Sequence, residues 1–344
     1  MIDETLAATI LARLGRALAA PIRRYRPLRV DSQVAGWIDD ERALRLASFT
    51  TIFAVDDVGV AFVPSLPDAP SRTAAMAEVT ARLAVEGALT RWRNELYAVA
   101  PTFGAPPWFE LERAAARYFG VHTWAAHING VVREAPEPKM WFARRSPDKA
   151  IDPGMLDNLV GGGIAAGSTL AETLAKEAWE EAGIPGNVAA RALSADAIHI
   201  WREQPDGLQS ETIFVHDLWL PETFLPANQD GEAVEHRRVV LNDAARLIAL
   251  ADGPDAVTAD ASLVVLDFLL RQGVFDTESP VFDNLAALRH PQAAARRAGA
   301  GAARLMPISA MVSRIALTAC RISSGPMAPM QPTRKVSNCV SLPG

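Results

Sequence analysis

The sequence predicts a mixed α/β (α+β) protein of about two domains, and three observations predict it. The chain has 344 residues, which suggests about two domains on the usual scale. Nearly half of them, 49%, are apolar, ample for sizeable cores. Amphipathic helical stretches alternate with short strand-like runs along most of the length, the pattern of helices packed on a sheet.

Charge and composition exclude several classes. A net charge of −6 argues against a nucleic-acid binder held by bulk electrostatics. Both cysteines, Cys320 and Cys339, lie near the C-terminus, so the body has no disulfide framework and no cysteine-based zinc site. No apolar run reaches the roughly 18 residues that span a bilayer, and no membrane partner is expected. The N-terminal MIDETLAATILARLGRALAA lacks the basic start of a signal peptide and the acid-poor composition of a transit peptide. A cytoplasmic monomer or homodimer is the expectation.

In order, residues from Glu4 to Ala20 repeat apolar positions at helical spacing: Leu6, Ile10, Leu11, Leu14, Leu18. PLRV and QVAGWI are strand-like, and Ala43 to Ala47 reads as a short helix. TIFAVDD and GVAFVP form a predicted β-hairpin turning near Asp56, Asp57 and Gly59. A second amphipathic helix is predicted over Arg72 to Gly87, and a strand over Arg91 to Ala98. PWFELERAAARYFG is predicted helical, and VHTWAAHINGVVRE a long strand. Lys139 to Arg145 alternate as a strand. AIHIWREQPDGLQSETIFVHDLWLP reads as two strands with a turn at Pro205-Asp206-Gly207, and AVEHRRVV as another strand. Helices over Leu241 to Leu250 and Thr258 to Leu270 then close the fold.

The chain is organised around Gly161 to Ile184, GGGIAAGSTLAETLAKEAWEEAGI. A glycine run, read as a loop, leads into an amphipathic helix. Thr169 is the predicted N-cap, and Glu172 completes a capping box. Gly183 suits the left-handed position after the helix, and Pro185 stops it. Glu177, Glu180 and Glu181 are spaced i, i+3, i+4 and share one face. Their mutual repulsion, near a helix C-terminus, costs about 0.3–1 kcal/mol per unfavourable placement. A hard divalent ion such as Mg²⁺, bound through carboxylates, waters and phosphates, would remove that cost. A solvated acidic face is the alternative for a bare glutamate cluster.

The glycines and the spacing favour the metal reading, because the stretch resembles the Nudix box, G-x5-E-x7-R-E-U-x-E-E-x-G-U with U apolar. Gly162 takes the first glycine, and Glu177, Ala178, Glu180, Glu181, Gly183 and Ile184 fall on E, U, E, E, G and U. Ser168 stands where the family has its first Glu, and Lys176 where it has Arg. Those two residues generally form a structural ion pair in the family, and here both have changed. The resemblance implies a Nudix fold, a mixed β-sheet sandwiched between helices, preceded by a smaller α+β domain. It implies hydrolysis of a diphosphate linkage in a small molecule, with Mg²⁺ or Mn²⁺ on Glu177, Glu180 and Glu181. Nudix enzymes often recruit a further acid beyond the box, and Glu232 and Glu235 are the candidates. Glu181 and Glu232 are the candidate general bases, so the catalytic set is Glu177, Glu181 and Glu232.

Arg144, Arg145 and Lys149 place positive charge just ahead of the acidic box, as a phosphate ester requires. With Asp157 and the backbone of Gly162 and Gly163 they form the candidate substrate-binding set. Asp157 either positions a backbone turn or touches substrate, and the sequence leaves both open. The histidines His127, His199, His216 and His236 share no local spacing, so a His-ligated zinc site is not expected. His127 reads as a hydrogen-bonded structural residue. Trp124, Trp141, Trp201 and Trp219 are candidates for a flat wall beside a heteroaromatic ring, or for strand core.

From about Leu14 to Phe275 the chain further resembles the Nudix proteins related to fungal thiamin pyrophosphokinase and its plant relatives. The carrying residues are Gly36-Trp37-Ile38, Trp92-Arg93-Asn94-Glu95, Glu112-Arg113-Ala114-Ala115, Phe119-Gly120, His127-Ile128-Asn129-Gly130, and the W-x-A-R-R-S and P-G-M-L-D-N runs before the box. This implies an N-terminal domain over residues 1–118, a Nudix domain over 119–275, and a substrate of the thiamin diphosphate type, cleaved to monophosphate and phosphate. ADP-ribose, a dinucleotide, a nucleotide sugar, or a non-catalytic ligand-binding module are the alternatives. Residues 276–344, with eight Lys and Arg against three Asp and Glu, read as an unstructured basic tail.

Overall fold

The structure, a computed structural model, describes residues 1–133, 137–149 and 151–290. The first helix, α1 (Glu4–Ala17), starts at Asp3, whose side chain accepts from Leu6 N–H. Next come β1 (Tyr25–Val30), β2 (Gln33–Asp39), α2 (Asp40–Leu46), β3 (Phe53–Val55), β4 (Val60–Phe62) and α3 (Ala69–Val85). The two strands β5 (Leu96–Val99) and β6 (Phe109–Glu112) form a separate ribbon. There follow β7 (His122–Val132), β8 (Lys139–Arg145), β9 (Leu156–Asn158), β10 (Val160–Gly163), α4 (Leu170–Ala182) and α5 (Gly186–Ala189). The remaining elements are β11 (Leu193–Gln204), β12 (Gly207–Leu220), β13 (Ala233–Val240), α6 (Leu241–Ala249), α7 (Ala259–Arg271) and α8 (Phe282–Ala287).

The large sheet runs β11-β12-β7-β8-β13, with β10 on β7 and β9 on β8. Its one parallel pairing is β12 with β7; the others are antiparallel. Because strand side chains alternate between faces, β7 supplies two cores. Ala125 and Val131 join the core under α1, α6, α7 and α8. Trp124, Ala126, Ile128 and Val132 join the core under α4 and α5. The sheet is therefore sandwiched between helices, as expected. A smaller sheet, β2-β1-β4-β3, packs with α2, α3 and the β5-β6 ribbon around its own core.

The paired motifs of the N-terminal half meet in space. Trp37 N–H donates to Phe119 C=O at 3.0 Å, and a Cβ at Gly36 would lie 2.4 Å from that same carbonyl oxygen. At Gly120, φ is +53° and a Cβ would lie 2.2 Å from Trp37 C=O, so the crossing demands glycine twice. Arg113 pairs with Glu95 at 2.6 Å, and Arg93 N–H donates to Glu112 at 2.8 Å.

Four expectations need correction. Residues 109–112 are strand rather than helix: Phe109 and Leu111 alternate with Glu110 and bury against α3, and only Arg113–Ala115 coil, as one 3₁₀ turn. The glycine run is strand β10, paired from Val160↔Ile128 to Gly163↔Ala125. Helix α1 crosses the expected boundary at 118, because Ile10 and Leu14 bury in the core of α6 and α7. The expected tail begins too early at 276: Leu285 of α8 is fully buried, and Arg289 C=O accepts from His199 N–H at 2.9 Å. Residues 291–344 of that tail lie outside the described residues.

Candidate active site

Helix α4 carries the acidic face, and its ends are set locally. Thr169 accepts from Glu172 N–H at 3.2 Å, while Glu172 accepts from Thr169 N–H at 2.8 Å. Gly183 ends the helix at φ +65°. Leu174, Ala178 and Ala182 are buried against the sheet. That packing turns Glu177 and Glu181 onto the glycine strand. Glu181 accepts from Gly161 N–H at 2.7 Å. A Cβ at Gly162 would lie 2.4 Å from the Glu177 carboxyl carbon, so only glycine lets the carboxylate lie there. Gly161 likewise faces the His127 ring, and Gly163 faces the Tyr97 hydroxyl.

These glutamates are electrostatically crowded. Burial pushes the Glu181 carboxyl up to about 8; Asp157 and Glu177 add to the rise, and Gly161 N–H and Lys149 oppose it. Burial also raises the Glu177 carboxyl, against the pull of Lys176. Lys176, which replaces the family's arginine, lies 3.0 Å from Glu177 and 2.8 Å from Glu180. Ser168 leaves it no partner at the other box position, so it settles among the acids. As placed, no three His, Cys, Asp or Glu side chains among the described residues gather into a metal cage. The donor chemistry nevertheless fits a hard divalent ion: Glu177 and Glu181 are desolvated carboxylates, one beside a lone ammonium and the other on a backbone N–H, and such groups gain most from a divalent cation.

A cleft of about 240 Å³ opens over this strand, and Glu177, Asp157, Glu232, Arg145, Lys149 and Gly161–Gly163 line it. Arg145 reaches Asp157 at 2.6 Å, and Asp157 also accepts from Asn158 N–H at 2.9 Å. Asp157 sits on strand β9, not at a turn, and faces the cleft. Lys149 is paired with Glu232. Burial lowers the Lys149 ammonium, and nearby Arg145 and Arg93 add to the fall. His127, buried, bonds Asn158 Oδ1 at 2.8 Å.

Other expected residues are placed elsewhere. Arg144 is one step from Arg145 on β8 and so points to the opposite face. It holds Glu235 at 2.5 Å and Asp255 at 3.0 Å, away from the cleft. Glu180 also lies outside the cleft lining, drawn to Lys176, while its backbone carbonyl accepts from Gln229 N–H at 2.7 Å; Glu181, bonded to Gly161 N–H, is likewise absent from the lining. None of Trp124, Trp141, Trp201 or Trp219 lines the cleft. Trp201 packs edge-on to Trp37, and Trp219 stacks under Arg133.

Sequence reasoning missed the opposite wall. Tyr97 and Arg113 come from the ribbon region, and Gln209 and Glu211 from β12. Glu211 accepts from Gln209 at 2.9 Å and from Thr123 at 3.2 Å. It makes no ion pair within reach among the described residues. The one sequence signal for this wall was the pairing of the W-R-N-E and E-R-A-A motifs.

The site thus combines a sandwiched mixed sheet with a capped acidic helix laid along a glycine strand. Residues 124–260 match the family described as NUDIX domain, and residues 12–123 match Domain of unknown function (DUF4743). The chain is 36% identical to "Nudix hydrolase 24, chloroplastic" of Arabidopsis thaliana, over 75% of this chain and 71% of that protein. It is 36% identical to "Nudix hydrolase 20, chloroplastic" of the same plant, over 74% and 69%. An uncharacterized protein of Saccharomyces cerevisiae is 31% identical over 55% of this chain and 57% of its own. The chain belongs to the Nudix hydrolase family, and it is a Nudix-type hydrolase of pyrophosphate bonds.

Proposed function

We propose that this hydrolase cleaves thiamin diphosphate, or an oxidised form of it, to the monophosphate and phosphate. The carrying observation is Glu211, a half-buried carboxylate without an ion pair among the described residues, in the same cleft as Arg145 and Lys149. A cleft with cations for a diphosphate and an acid that feels Arg113 but makes no ion pair with it suits a substrate carrying both charges. The volume of about 240 Å³ falls below the usual ligand pocket, roughly 300–1,000 Å³, and favours a compact molecule over a dinucleotide. The resemblance carried by residues 14–275 supports the same substrate.

Nudix hydrolases generally use divalent metals such as Mg²⁺ or Mn²⁺. Glu177 and Glu181 would hold it here, with Glu180 joining once released from Lys176. The bound ion supplies charge neutralisation at phosphate and a more acidic water. Arg145 and Lys149 orient the phosphoryl oxygens, where positioning and electrostatics carry most of the rate. Lys149 already occupies the Glu232 carboxylate, and Glu181 accepts from Gly161 N–H beside Glu177; these are the two candidate acids for the proton transfer.

Phosphate release with Mg²⁺ from thiamin diphosphate, oxothiamin diphosphate, ADP-ribose and a dinucleotide tests this. The thiamin compounds should turn over, Glu177→Gln should abolish turnover, and Glu211→Gln should raise KM about tenfold, roughly one lost charge contact. Turnover of ADP-ribose alone would discard the substrate and keep the site.

A further inference from the structure

A second cavity, of about 350 Å³, lies beside the first and shares Arg117, Ile151 and Asp152 with it. Its charged lining is four arginines, Arg13, Arg16, Arg117 and Arg202, and one acid, Asp152. Arg13 is the telling residue. It is 7% exposed, and its guanidinium donates to Ile248 C=O at 2.6 Å, to Ser262 Oγ at 2.8 Å and to Val257 C=O. All three acceptors are neutral. They take three of its five N–H donors and leave its charge uncompensated, and burying an unpaired ion costs several kcal/mol. No carboxylate pairs with Arg13 among the described residues.

The surroundings repeat the sign. Arg16, one turn along α1, is exposed and makes no ion pair among the described residues. Arg202 is 6% exposed and is committed to Asp260 and Gln209. Arg117 makes one ion pair among the described residues, with Asp206 at 3.5 Å. Ala259, the first residue of α7, also lines the cavity, so the positive end of a 13-residue helix opens toward it. Asp152 is the counterweight, and burial, with Asp260 nearby, raises its carboxyl and weakens its charge.

We infer that this cavity binds a phosphate group between Arg13, Arg16 and the start of α7. The fit is chemical: guanidinium groups and a helix N-terminus are the two recurrent partners of phosphate oxygens. The phosphate is either free orthophosphate or a group carried by the compound being hydrolysed, since the shared wall joins the two cavities. Only the second case rests on the hydrolase substrate.

The test is calorimetric titration of the full chain with orthophosphate in metal-free buffer, for wild type, Arg16→Glu and Lys149→Ala. Arg16 is on the surface, so its variant should fold as wild type, checked by urea midpoint. If the ligand is free orthophosphate, Arg16→Glu weakens binding about tenfold or more, and Lys149→Ala retains it. If the phosphate belongs to the substrate, Arg16→Glu raises KM about tenfold at unchanged kcat. Equal orthophosphate affinity together with equal KM in wild type and Arg16→Glu overturns the inference. Absence of any hydrolysis in the wild type would fault the substrate reading, while the orthophosphate titration would still decide this one.

Discussion

Gly162→Ala separates the position of a catalytic carboxylate from the stability of its strand. The added Cβ would lie 2.4 Å from Glu177 Cδ, 2.6 Å from Cγ and 2.7 Å from Oε1. Carbon atoms in contact prefer about 3.5–4.0 Å, so the carboxylate must retreat by roughly 1 Å. Glu177 has a flexible end, so the overpacking cost falls near the low end of the usual 1–3 kcal/mol. Alanine in a strand recovers about 0.5–1 kcal/mol relative to glycine. The two nearly cancel, and the urea unfolding midpoint should correspond to a change below about 1 kcal/mol. Activity has no such offset, because a displacement of that size at a reacting centre costs about 10²-fold. The assay is Mg²⁺-dependent phosphate release beside unfolding, with Gly186→Ala, whose Cβ would meet only Ala175 at 3.8 Å, as control. A kcat within about threefold of wild type would refute the role of Glu177 at this position. Loss of folding would refute the claimed cancellation.

Two further predictions concern the frame. Arg289→Ala removes its charged hydrogen bonds to Asp267 and Asp196 and leaves the fully buried Asp267 with Arg271, at 2.8 Å, among the described residues; the loss should cost about 3 kcal/mol or more in urea unfolding, with kcat unchanged. His122 and His199 both bond Thr212 Oγ1 at 2.9 Å, and burial depresses each to about 4. Both are neutral above about pH 6.5 in either state. As pH falls from there toward 4, only the unfolded chain takes up the proton, so stability is lost, by up to about 3 kcal/mol per histidine. Urea midpoints across that window should fall more steeply for wild type than for His122→Asn, and parallel profiles would count against the assignment.

Helix α4 was legible in the sequence because its signals are local. Thr169, Glu172 and Gly183 act within one turn of the helix ends, and Glu177, Glu180 and Glu181 share a face by spacing alone. The box then named the chemistry. The segment at 107–120 was misread because the run Ala114–Ala116 looks helical, whereas the partner that makes residues 109–112 a strand is β5, ten or more residues upstream. The reach of the fold past Phe275 was hidden too, since Leu285 matters through the distant core it joins and Arg289 through Asp267, Asp196 and His199.

The sequence by itself determined which residues carry acid and base, where the acidic helix starts and stops, and the family these define. Such information is short in range: caps, periodicity and motif spacing act over a few residues. Tertiary structure alone decided which of those charges face the cleft. Arg144 and Arg145 are neighbours on one strand, yet alternation sends one to Glu235 and Asp255 and the other to Asp157 beside the site. Tyr97, Arg113 and Glu211 reach the same cleft from three separate strands or turns. Arg13 becomes an uncompensated buried cation only when α1 crosses to the core of α6 and α7. In each case the deciding contact joins residues far apart in the chain, so the packing of the sheets fixes it rather than any local preference.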